Sequence, residues 1–434
     1  MSLFDARDVP ADRISSDRLA ASGFDYRRVD MGDSGQATAF QRAVARGFLG
    51  AEPNAETLDH QFAPYEARRN IGVYDAGAGP EALPVASINS WVTPLTVPGG
   101  AELGMWAVSA VTVAATHRRR GIARALLEGD LRAAAASGVA IAGLTATEAT
   151  IYGRYGFGAA IPVTRFTVDT RRAGWAGGSP GGRLEFVERE VLAAELAAVH
   201  DRSRLSRSGQ IQGWQRRWEG QAGLAPADSD RDRVRGVRFL DDAGRTRGAM
   251  SYVLREKGDS FAFELHVRML AAETPDAVAA LWRFALQHDL VDEVTADLRP
   301  LDDPLPWLVA DARGVTQVVH DHGWLRILDV PAVLTARTFS APVDVAIRVE
   351  DDLGFAEGVW RLRVGGDGTA TVESDVTAQA DVTMDVAVLS TLYAGAIRAS
   401  TLHAAGLLQA DAGVAQLLDR AFSAYPAPSL DIWY

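Results

Sequence analysis

Residues 108–155 read VSAVTVAATHRRRGIARALLEGDLRAAAASGVAIAGLTATEATIYGRY, and the rest of the chain is organised around this stretch. It opens with valines that alternate with threonine over residues 111–113, a pattern typical of a β-strand. After a basic turn, apolar residues recur at helical spacing from 122 to 131 and predict one buried helix face. The apolar run 139–144 is short enough for a buried parallel strand. The stretch therefore predicts a strand, a helix and a strand joined by a right-handed crossover.

The turn between the first strand and the helix has the composition of a phosphate site. Gly121 and Ala123 are small, so a ligand can approach the backbone closely. The first N–H groups of a helix have no intrahelical partner, and together with the helix dipole they favour a phosphate or pyrophosphate. Residues 118–120 are arginines, whose forked donors suit phosphate oxygens. The turn has neither the Gly-Lys-Ser/Thr of a Walker loop nor the three glycines of a dinucleotide fingerprint. Taken alone, it is equally compatible with a basic helix start on a solvated surface.

Motifs on both sides of this turn resemble one known family. The turn reads Arg-x-x-Gly-x-Ala after a Val-x-Val strand, which resembles the acetyl-CoA loop of the GNAT N-acetyltransferases. More specifically, the THRRRG of the turn, Thr147-Glu148 and the run IYGRYGFG at 151–158 resemble the enhanced intracellular survival (Eis) acetyltransferases. Further motifs of that family lie downstream, namely DPLP at 303–306, GWLRI at 323–327, DVP at 329–331 and RASTL at 398–402.

The resemblance implies a mixed α/β protein of the α+β class. It has two tandem GNAT-like folds, the second degenerate, followed by a sterol-carrier-like domain. We place these domains at residues 1–170, 171–321 and 322–434, and we expect residues 1–26 to be a loose lead-in. A Gly-rich stretch at 173–182 marks the first boundary. A sterol-carrier-like fold does not by itself imply lipid carriage.

The second region repeats the element order of the first in weakened form. We predict strands at 234–240, 247–255, 261–269 and 293–298, and a helix at 275–288 with Thr274 as its N-cap. Where the first region has its basic turn, this one reads LAAETPD at 270–276, without glycine or arginine. Glu273 and Asp276 repel a phosphate and already satisfy the helix N-terminus. We therefore expect a fold that has lost its cofactor site and completes the acceptor cleft.

The resemblance also implies acetyl-CoA as the cosubstrate, with no metal ion. The backbone of residues 111–113 would pair with the pantetheine arm as an added strand does, while the valine side chains pack in the core. The expected cofactor-binding residues are Val111, Thr112, Val113, Arg118, Arg119, Arg120, Gly121, Ile122, Ala123, Arg124, Thr147 and Glu148. The resemblance assigns Phe48 and Ser109 to the acceptor site, and packing of Phe48 on the sheet is the alternative.

Acetyl transfer to an amine also needs an acid and a base. A tyrosine, with a pKa near ~10, keeps its proton at neutral pH and can protonate a leaving thiolate. Tyr152 follows the second strand, where the family has its acid; Tyr155 competes, but its setting before Gly156-Phe157 suggests packing. No histidine or glutamate near the motif stands out as a base. The resemblance implies the carboxylate of the last residue, Tyr434, and the alternative is a docked apolar tail with a solvated carboxylate.

Composition narrows the class of protein. A chain of 434 residues predicts two or three domains, and its 47% hydrophobic and 23% charged content is typical of globular proteins. Cysteine is absent, which excludes disulfides, thiolate zinc sites and cysteine nucleophiles. His320-x-His322 lacks two further metal ligands, so we expect no metal site. No run of eighteen apolar residues and no signal-like start occur, so we expect a soluble, cytoplasmic protein without membrane contact.

These observations converge on an N-acetyltransferase. The net charge of −12 disfavours nucleic acid and suits a small cationic amine substrate. By resemblance the substrates are aminoglycosides, acetylated at several positions per molecule, and the assembly is a homohexamer. The alternatives are acetylation of lysine in proteins or peptides, and a non-catalytic scaffold that binds acyl-CoA. The intact loop 118–123 together with Tyr152 argues against the scaffold.

Overall fold

The computed structural model describes residues 4–258 and 261–434. It divides into two compact units. The first unit contains the chain up to Ala160, Gly323–Ala424 and Trp433–Tyr434; the second contains Ile161–His322 and Tyr425–Ile432. The chain therefore returns to the second unit for eight residues near its end, and the last two residues belong to the first unit.

The first part of the chain forms a mixed sheet with helices against it. Its strands are β1 (Phe24–Arg28), β2 (Arg69–Asp75), β3 (Ala86–Thr96), β4 (Glu102–Val113), β5 (Ile141–Thr145) and β6 (Gly158–Asp169). Its helices are α1 (Arg13–Ala20), α2 (Ser34–Gly47), α3 (Ala55–Glu66), α4 (Ile122–Ala136) and α5 (Ala149–Tyr152). Strands β1 to β4 pair antiparallel in order, and β5 pairs parallel with β4. The predicted strand, helix and strand are β4, α4 and β5.

The predicted loose lead-in at residues 1–26 is wrong for residues 4–26, which contain α1 and the start of β1, while residues 1–3 lie outside the described residues. The Asp12 carboxylate caps α1 by accepting from the Ser15 amide at 2.8 Å, and it pairs with Arg132 of α4 at 2.7 Å. The Ser15 hydroxyl donates to the Ala125 carbonyl oxygen at 2.6 Å. Helix α1 is thus held to α4 by polar contacts, which hydrophobic periodicity does not detect.

A buried ion pair holds α4 to the sheet. Arg69 of β2 and Asp130 of α4 are at most 1% exposed, and their charged groups lie 2.7 Å apart. Asp130 also accepts hydrogen bonds from the Trp106 indole at 2.8 Å and the Ser90 hydroxyl at 3.1 Å. Arg69 donates to the Pro10 carbonyl oxygen at 2.8 Å. Buried charges persist only when they are paired and hydrogen-bonded, and this network meets that condition while joining β2, β3, β4 and α4.

The second part of the chain repeats the order of hairpin, strand, helix and strand. Its strands are β7 (Arg183–Val187), β8 (Arg235–Leu240), β9 (Thr246–Glu256), β10 (Phe263–Ala272), β11 (Val291–Arg299) and β12 (Val315–Ile327). Its helices are α6 (Thr170–Ala173), α7 (Arg189–Ser203), α8 (Gln215–Gln221), α9 (Pro275–Leu286) and α10 (Leu305–Leu308). Within the second unit the strand order is β6-β11-β10-β9-β8-β7, and β10 and β11 are parallel. The last five residues of β12 lie in the first unit, antiparallel to β5.

The third part of the chain is a five-stranded sheet covered by helices. Its strands are β13 (Val343–Glu350), β14 (Gly358–Val364), β15 (Ala370–Ser374), β16 (Val382–Asp385) and β17 (Leu408–Ala410). Its helices are α11 (Val330–Ala336), α12 (Val386–Tyr393), α13 (Ala399–Ala404) and α14 (Ala412–Phe422). The strand order is β15-β14-β13-β16-β17. The boundaries at residues 170 and 321 stay predictions.

Arg326 joins this last sheet to the first part of the chain. The fully buried guanidinium donates to the Tyr155 carbonyl oxygen at 2.7 Å and to the Asp351 carboxylate at 2.6 Å. Gly156 has φ +80°, and a Cβ there would lie 2.5 Å from Arg326 Nε. A Cβ on Gly158 would lie 2.0 Å from the Ala387 carbonyl oxygen. Gly156 and Gly158 of the IYGRYGFG motif are therefore required by packing between these two parts of the first unit, whereas a Cβ on Gly153 would meet nothing within 4 Å.

We expect Arg69→Met to destabilise the first unit by about 3–5 kcal/mol, because it leaves the Asp130 carboxylate buried without its counter-ion. Thermal unfolding should then begin roughly 10 °C lower. The control is Arg7→Gln, which removes a solvent-exposed pair with Asp5. The control should change stability by no more than about 0.5 kcal/mol. Equal unfolding profiles for the two variants would show that the buried pair is dispensable.

Candidate active site

Strands β4 and β5 separate after a short paired stretch. The two strands pair only where Met105–Ala107 of β4 lie beside Ile141–Gly143 of β5. Beyond that point β4 continues to Val113, and no strand in the described ranges pairs with its β5-facing edge. Ala110 has φ +52°, at a break in the register with β3. The separation leaves a wedge with main-chain groups of β4 along one side, where an extended ligand can pair as an added strand does.

The turn into α4 opens at the wide end of this wedge. Gly121 is the N-cap of α4 with φ +77°, and no side chain caps the helix. Only glycine adopts this left-handed conformation at little cost, and a Cβ at Gly121 would meet nothing within 4 Å. Residues 118–120 are exposed, and no carboxylate in the described part of the chain pairs with them. Uncapped N–H groups and three arginines therefore face solvent, as anion binding requires.

The predicted cofactor residues differ in which of their groups are accessible to a ligand. Val111 and Val113 pack partly against the core of the first unit, so only their backbone is left for a ligand. The Thr112 hydroxyl is buried and shares a 2.8 Å hydrogen bond with Ser87. Arg124 is exposed but turns along the helix to Glu128 at 2.6 Å. Thr147 and Glu148 are exposed beyond the end of β5.

Tyr152 lies on α5, directly after β5. Its side chain is 7% exposed and its ring packs edge-on against Phe157, with centroids 6.0 Å apart. Burial raises the pKa of the Tyr152 phenol, and the Glu148 carboxylate nearby adds to the effect. The phenol is therefore protonated at neutral pH and can donate a proton. Tyr155 is equally buried, but its carbonyl oxygen already anchors Arg326.

Tyr434 lies where β4 and β5 separate. The Thr145 hydroxyl donates to the main-chain oxygen of Tyr434 at 2.7 Å and accepts from its amide at 3.2 Å. A Cβ on Gly143, the last paired residue of β5, would lie 3.2 Å from the Tyr434 phenol oxygen. The Tyr434 ring packs edge-on against Trp91, with centroids 5.4 Å apart. The sequence analysis missed Thr145, Gly143 and Trp91. The local signal for this site in the sequence is that Thr145 ends an apolar strand.

The two predicted acceptor residues lie on different elements. Phe48 follows α2 and is 51% exposed, and both its acceptor role and its packing on the sheet stay predictions. Ser109 is half-buried on β4, opposite Asn89 of β3. Beside Trp91, the Arg68 guanidinium stacks over the indole at 3.7 Å from the ring centroid. Burial lowers the pKa of Arg68 to about 10, so it stays charged at neutral pH.

The two histidines of His320-x-His322 have different partners. His320 lies 3.5 Å from the Asp297 carboxylate, whereas buried His322 Nε2 lies 3.1 Å from the Ile432 carbonyl oxygen. Burial lowers the pKa of His322 to about 4, so the ring is neutral and Nε2–H donates to that oxygen. The described ranges, 4–258 and 261–434, contain no group of three His, Asp or Glu placed to hold a metal ion. Within the same ranges, no helix has the length and apolar character needed to cross a membrane.

Three family models match the chain in succession. Two describe an acetyltransferase (GNAT) domain, at residues 26–160 and 209–327, and the third describes a sterol carrier protein domain, at 330–430. These matches confirm the predicted fold class of two tandem GNAT-like folds and a sterol-carrier-like domain.

Relatives match over most of the chain. N-acetyltransferase Eis of Mycobacterium tuberculosis is 35% identical over 357 residues, which cover 80% of this chain and 85% of that protein. A Streptomyces avermitilis protein named as an uncharacterized N-acetyltransferase is 35% identical over 375 residues, or 84% of this chain and 88% of that protein. The crystal structure of Eis1 from Mycobacterium abscessus superposes with a TM-score of 0.79 at 29% identity, covering 94% of this chain and all of the other.

Proposed function

Because this chain belongs to the Eis family of GNAT N-acetyltransferases, we propose that it transfers the acetyl group of acetyl-CoA to amino groups of small cationic substrates, with aminoglycosides as the substrate class. One observation carries the proposal. The first unit brings an uncapped helix N-terminus with three arginines, the unpaired edge of β4 and the main-chain oxygen of Tyr434 to the same strand separation.

Main-chain groups and arginine side chains of the first unit bind the cofactor. The N–H groups at the start of α4 and the arginines 118–120 bind the pyrophosphate. The edge of β4 at 111–113 pairs with the amides of the pantetheine arm, since no strand within residues 4–258 and 261–434 pairs with that edge. Tyr152 follows β5 and Tyr434 bonds Thr145 at the end of β5, so these two residues would meet the thioester of a cofactor bound in this way.

The reaction forms a C–N bond at the thioester carbonyl and breaks the C–S bond. The Tyr152 phenol protonates the leaving thiolate, which suits a group that burial keeps protonated. The main-chain carboxylate of Tyr434 orients the substrate ammonium group and accepts its proton, directly or through water. An α-carboxylate has a pKa near ~3.5 and is a weak base, so its main contribution is to attract and place the amine.

The substrate class is tested by turnover with a panel of amines. The net charge of −12 suits a cation. We expect aminoglycosides to give several acetylations per molecule by mass spectrometry, and lysine peptides to react slowly. Faster acetylation of peptides would change the substrate class, and no turnover with any amine would favour an acyl-CoA scaffold. A cytoplasmic homohexamer is part of the proposal, and light scattering tests the assembly.

We expect Gly121→Glu to abolish acetyl-CoA binding, because it places a negative side chain and a strained φ in the phosphate site. Calorimetry with acetyl-CoA measures the effect. The matched control is Gly138→Glu, since Gly138 ends the same helix with φ +74° and open space around its Cα. The control should bind acetyl-CoA normally. Equal affinities for the two variants would place the phosphates elsewhere.

We expect Tyr152→Phe to lower kcat by ~10² or more, the usual scale for a lost general acid. The KM for acetyl-CoA should change little, because the phenol acts on the leaving thiolate. Tyr155→Phe is the comparison, since both tyrosines are equally buried. Steady-state kinetics separates them, and a larger loss in Tyr155→Phe would transfer the acid role to Tyr155.

We expect residues appended after Tyr434 to leave acetyl-CoA binding intact and to lower acetylation strongly, because they neutralise and displace the carboxylate. Tyr434→Ala keeps the carboxylate and loses the ring contact with Trp91, so it should retain more activity. Deleting Tyr434 moves the carboxylate by up to ~3.6 Å, out of hydrogen-bond reach. The same appended sequence at the N-terminus is the control. Full activity of the C-terminally extended protein would show that another group is the base.

A further inference from the structure

The second unit contains the same kind of strand separation as the first. Strands β10 and β11 are parallel and paired as far as Val267 and Ala296. Beyond this pair, β10 continues to Ala272 and β11 to Arg299 without pairing with each other. This is the position at which the first unit offers the edge of β4.

In the second unit this separation is filled by a side chain of the chain itself. Arg299 is 8% exposed, and its guanidinium donates to the Leu270 carbonyl oxygen of β10 at 2.8 Å. The Asp303 carboxylate accepts from Arg299 Nε at 2.9 Å and from the Trp282 indole at 3.0 Å. Arg299 therefore occupies main-chain acceptor capacity that a pantetheine amide would need. The helix start is closed as well, because Thr274 caps α9.

The space that remains is too small for a cofactor. It is a cavity of about 110 Å³, whereas pockets for small molecules are usually several times larger, on the order of 300 Å³ or more. Two of its lining residues, Ser429 and Asp431, come from Tyr425–Ile432, which we call the tail segment. The cleft of the second fold is thus lined by the end of the same chain.

The tail segment is bonded along its length. Arg207 donates to the Ala427 carbonyl oxygen at 2.6 Å. The Ser429 amide donates to the Ser208 carbonyl oxygen at 3.0 Å, and Gln210 Nε2 donates to the Ser429 hydroxyl at 3.0 Å. Ala427 and Ser429 of the tail segment therefore have partners on the turn after α7.

Asp431 is the charged anchor of the tail segment. His200 Nε2, on a side chain 2% exposed, lies 3.2 Å from Asp431 Oδ1, and Arg217 donates to the Asp431 carbonyl oxygen at 3.1 Å. Burial by itself raises the pKa of the Asp431 carboxyl, but His200 and Arg217 beside it hold the pKa below its ordinary value. The carboxylate therefore stays ionised among these partners. His322 donates to the next carbonyl oxygen, that of Ile432.

We propose that the vacated cofactor cleft of the second fold is a receptor for the tail segment, and that His200, Arg217 and Asp431 are positioning residues for the Tyr434 carboxylate. This inference rests on the proposed function, in which that carboxylate acts on the amine. Tyr434 lies three residues beyond Asp431, and three residues span at most ~11 Å. Anchoring Asp431 therefore limits where the carboxylate lies, and misplacement of a reacting group by about 1 Å can cost ~10² in rate.

The test is Asp431→Asn in the full-length protein. We expect kcat to fall roughly 10- to 100-fold with an unchanged KM for acetyl-CoA, because the tail segment is loosened while the phosphate site is intact. Carboxypeptidase A should release Tyr434 faster from this variant than from the wild type. Ser429→Ala is a milder second variant, with effects in the same direction. The control is Glu195→Gln, which breaks a 2.6 Å pair with Arg238 in the second unit without touching the tail segment.

Several outcomes overturn the inference and leave the proposed function in place. These are unchanged kcat in both tail variants while a C-terminal extension abolishes activity, equal tyrosine release from wild type and Asp431→Asn, or two acetyl-CoA molecules bound per chain by calorimetry. Full activity of the C-terminally extended protein instead removes the proposed base, and the positioning role with it. A fall in kcat shared equally by Glu195→Gln would show a general loss of stability.

Discussion

The early separation of β4 and β5 is the constraint on which the candidate site depends. Parallel strands normally satisfy each other's main-chain groups along their length. Here the register ends at Ala107 and Gly143, and β4 continues for six residues with one edge unpaired. Main-chain polar groups without a strand partner are tolerated where solvent or a ligand forms their hydrogen bonds. The separation also makes room for Tyr434, whose main-chain oxygen bonds Thr145 just beyond the last pair.

Two buried arginines keep this geometry rigid from either side. The Arg69–Asp130 pair holds Trp106 of β4 and helix α4 in one network, so the strand edge and the helix that follows the basic turn are held by the same charges. Arg326 holds the Tyr155 carbonyl oxygen to Asp351, which fixes the segment that carries Tyr152. Removal of one member of such a network leaves a buried charge without its partner. Because that loss costs free energy, the network holds the surrounding backbone in one conformation.

The two GNAT-like folds differ in a few residues at the turn into the helix and in the gap between the strands. The first has a left-handed glycine and an uncapped helix preceded by arginines. The second has Thr274 as a cap, and Glu273 is held by Arg247 at 2.9 Å. Arg299 then fills the strand gap. The backbone architecture is common to both, so function follows from the side chains at the turn and in the gap.

The sequence by itself determined the strands and helices of the βαβ core, the basic turn at 118–123, and the loss of that turn in the second fold. Those features depend on local periodicity, charge and glycine content, which a single stretch of chain carries. It also indicated Tyr152 and Tyr434, through resemblance. Only the tertiary structure decided three further features. Residues 13–20 pack as a helix on α4, Gly156 leaves room for the Arg326 side chain, and the tail segment lines the cleft of the second fold. Each of these depends on contacts between residues far apart in the chain, such as Ser15 and Ala125, and no local pattern encodes which distant partner a side chain will meet.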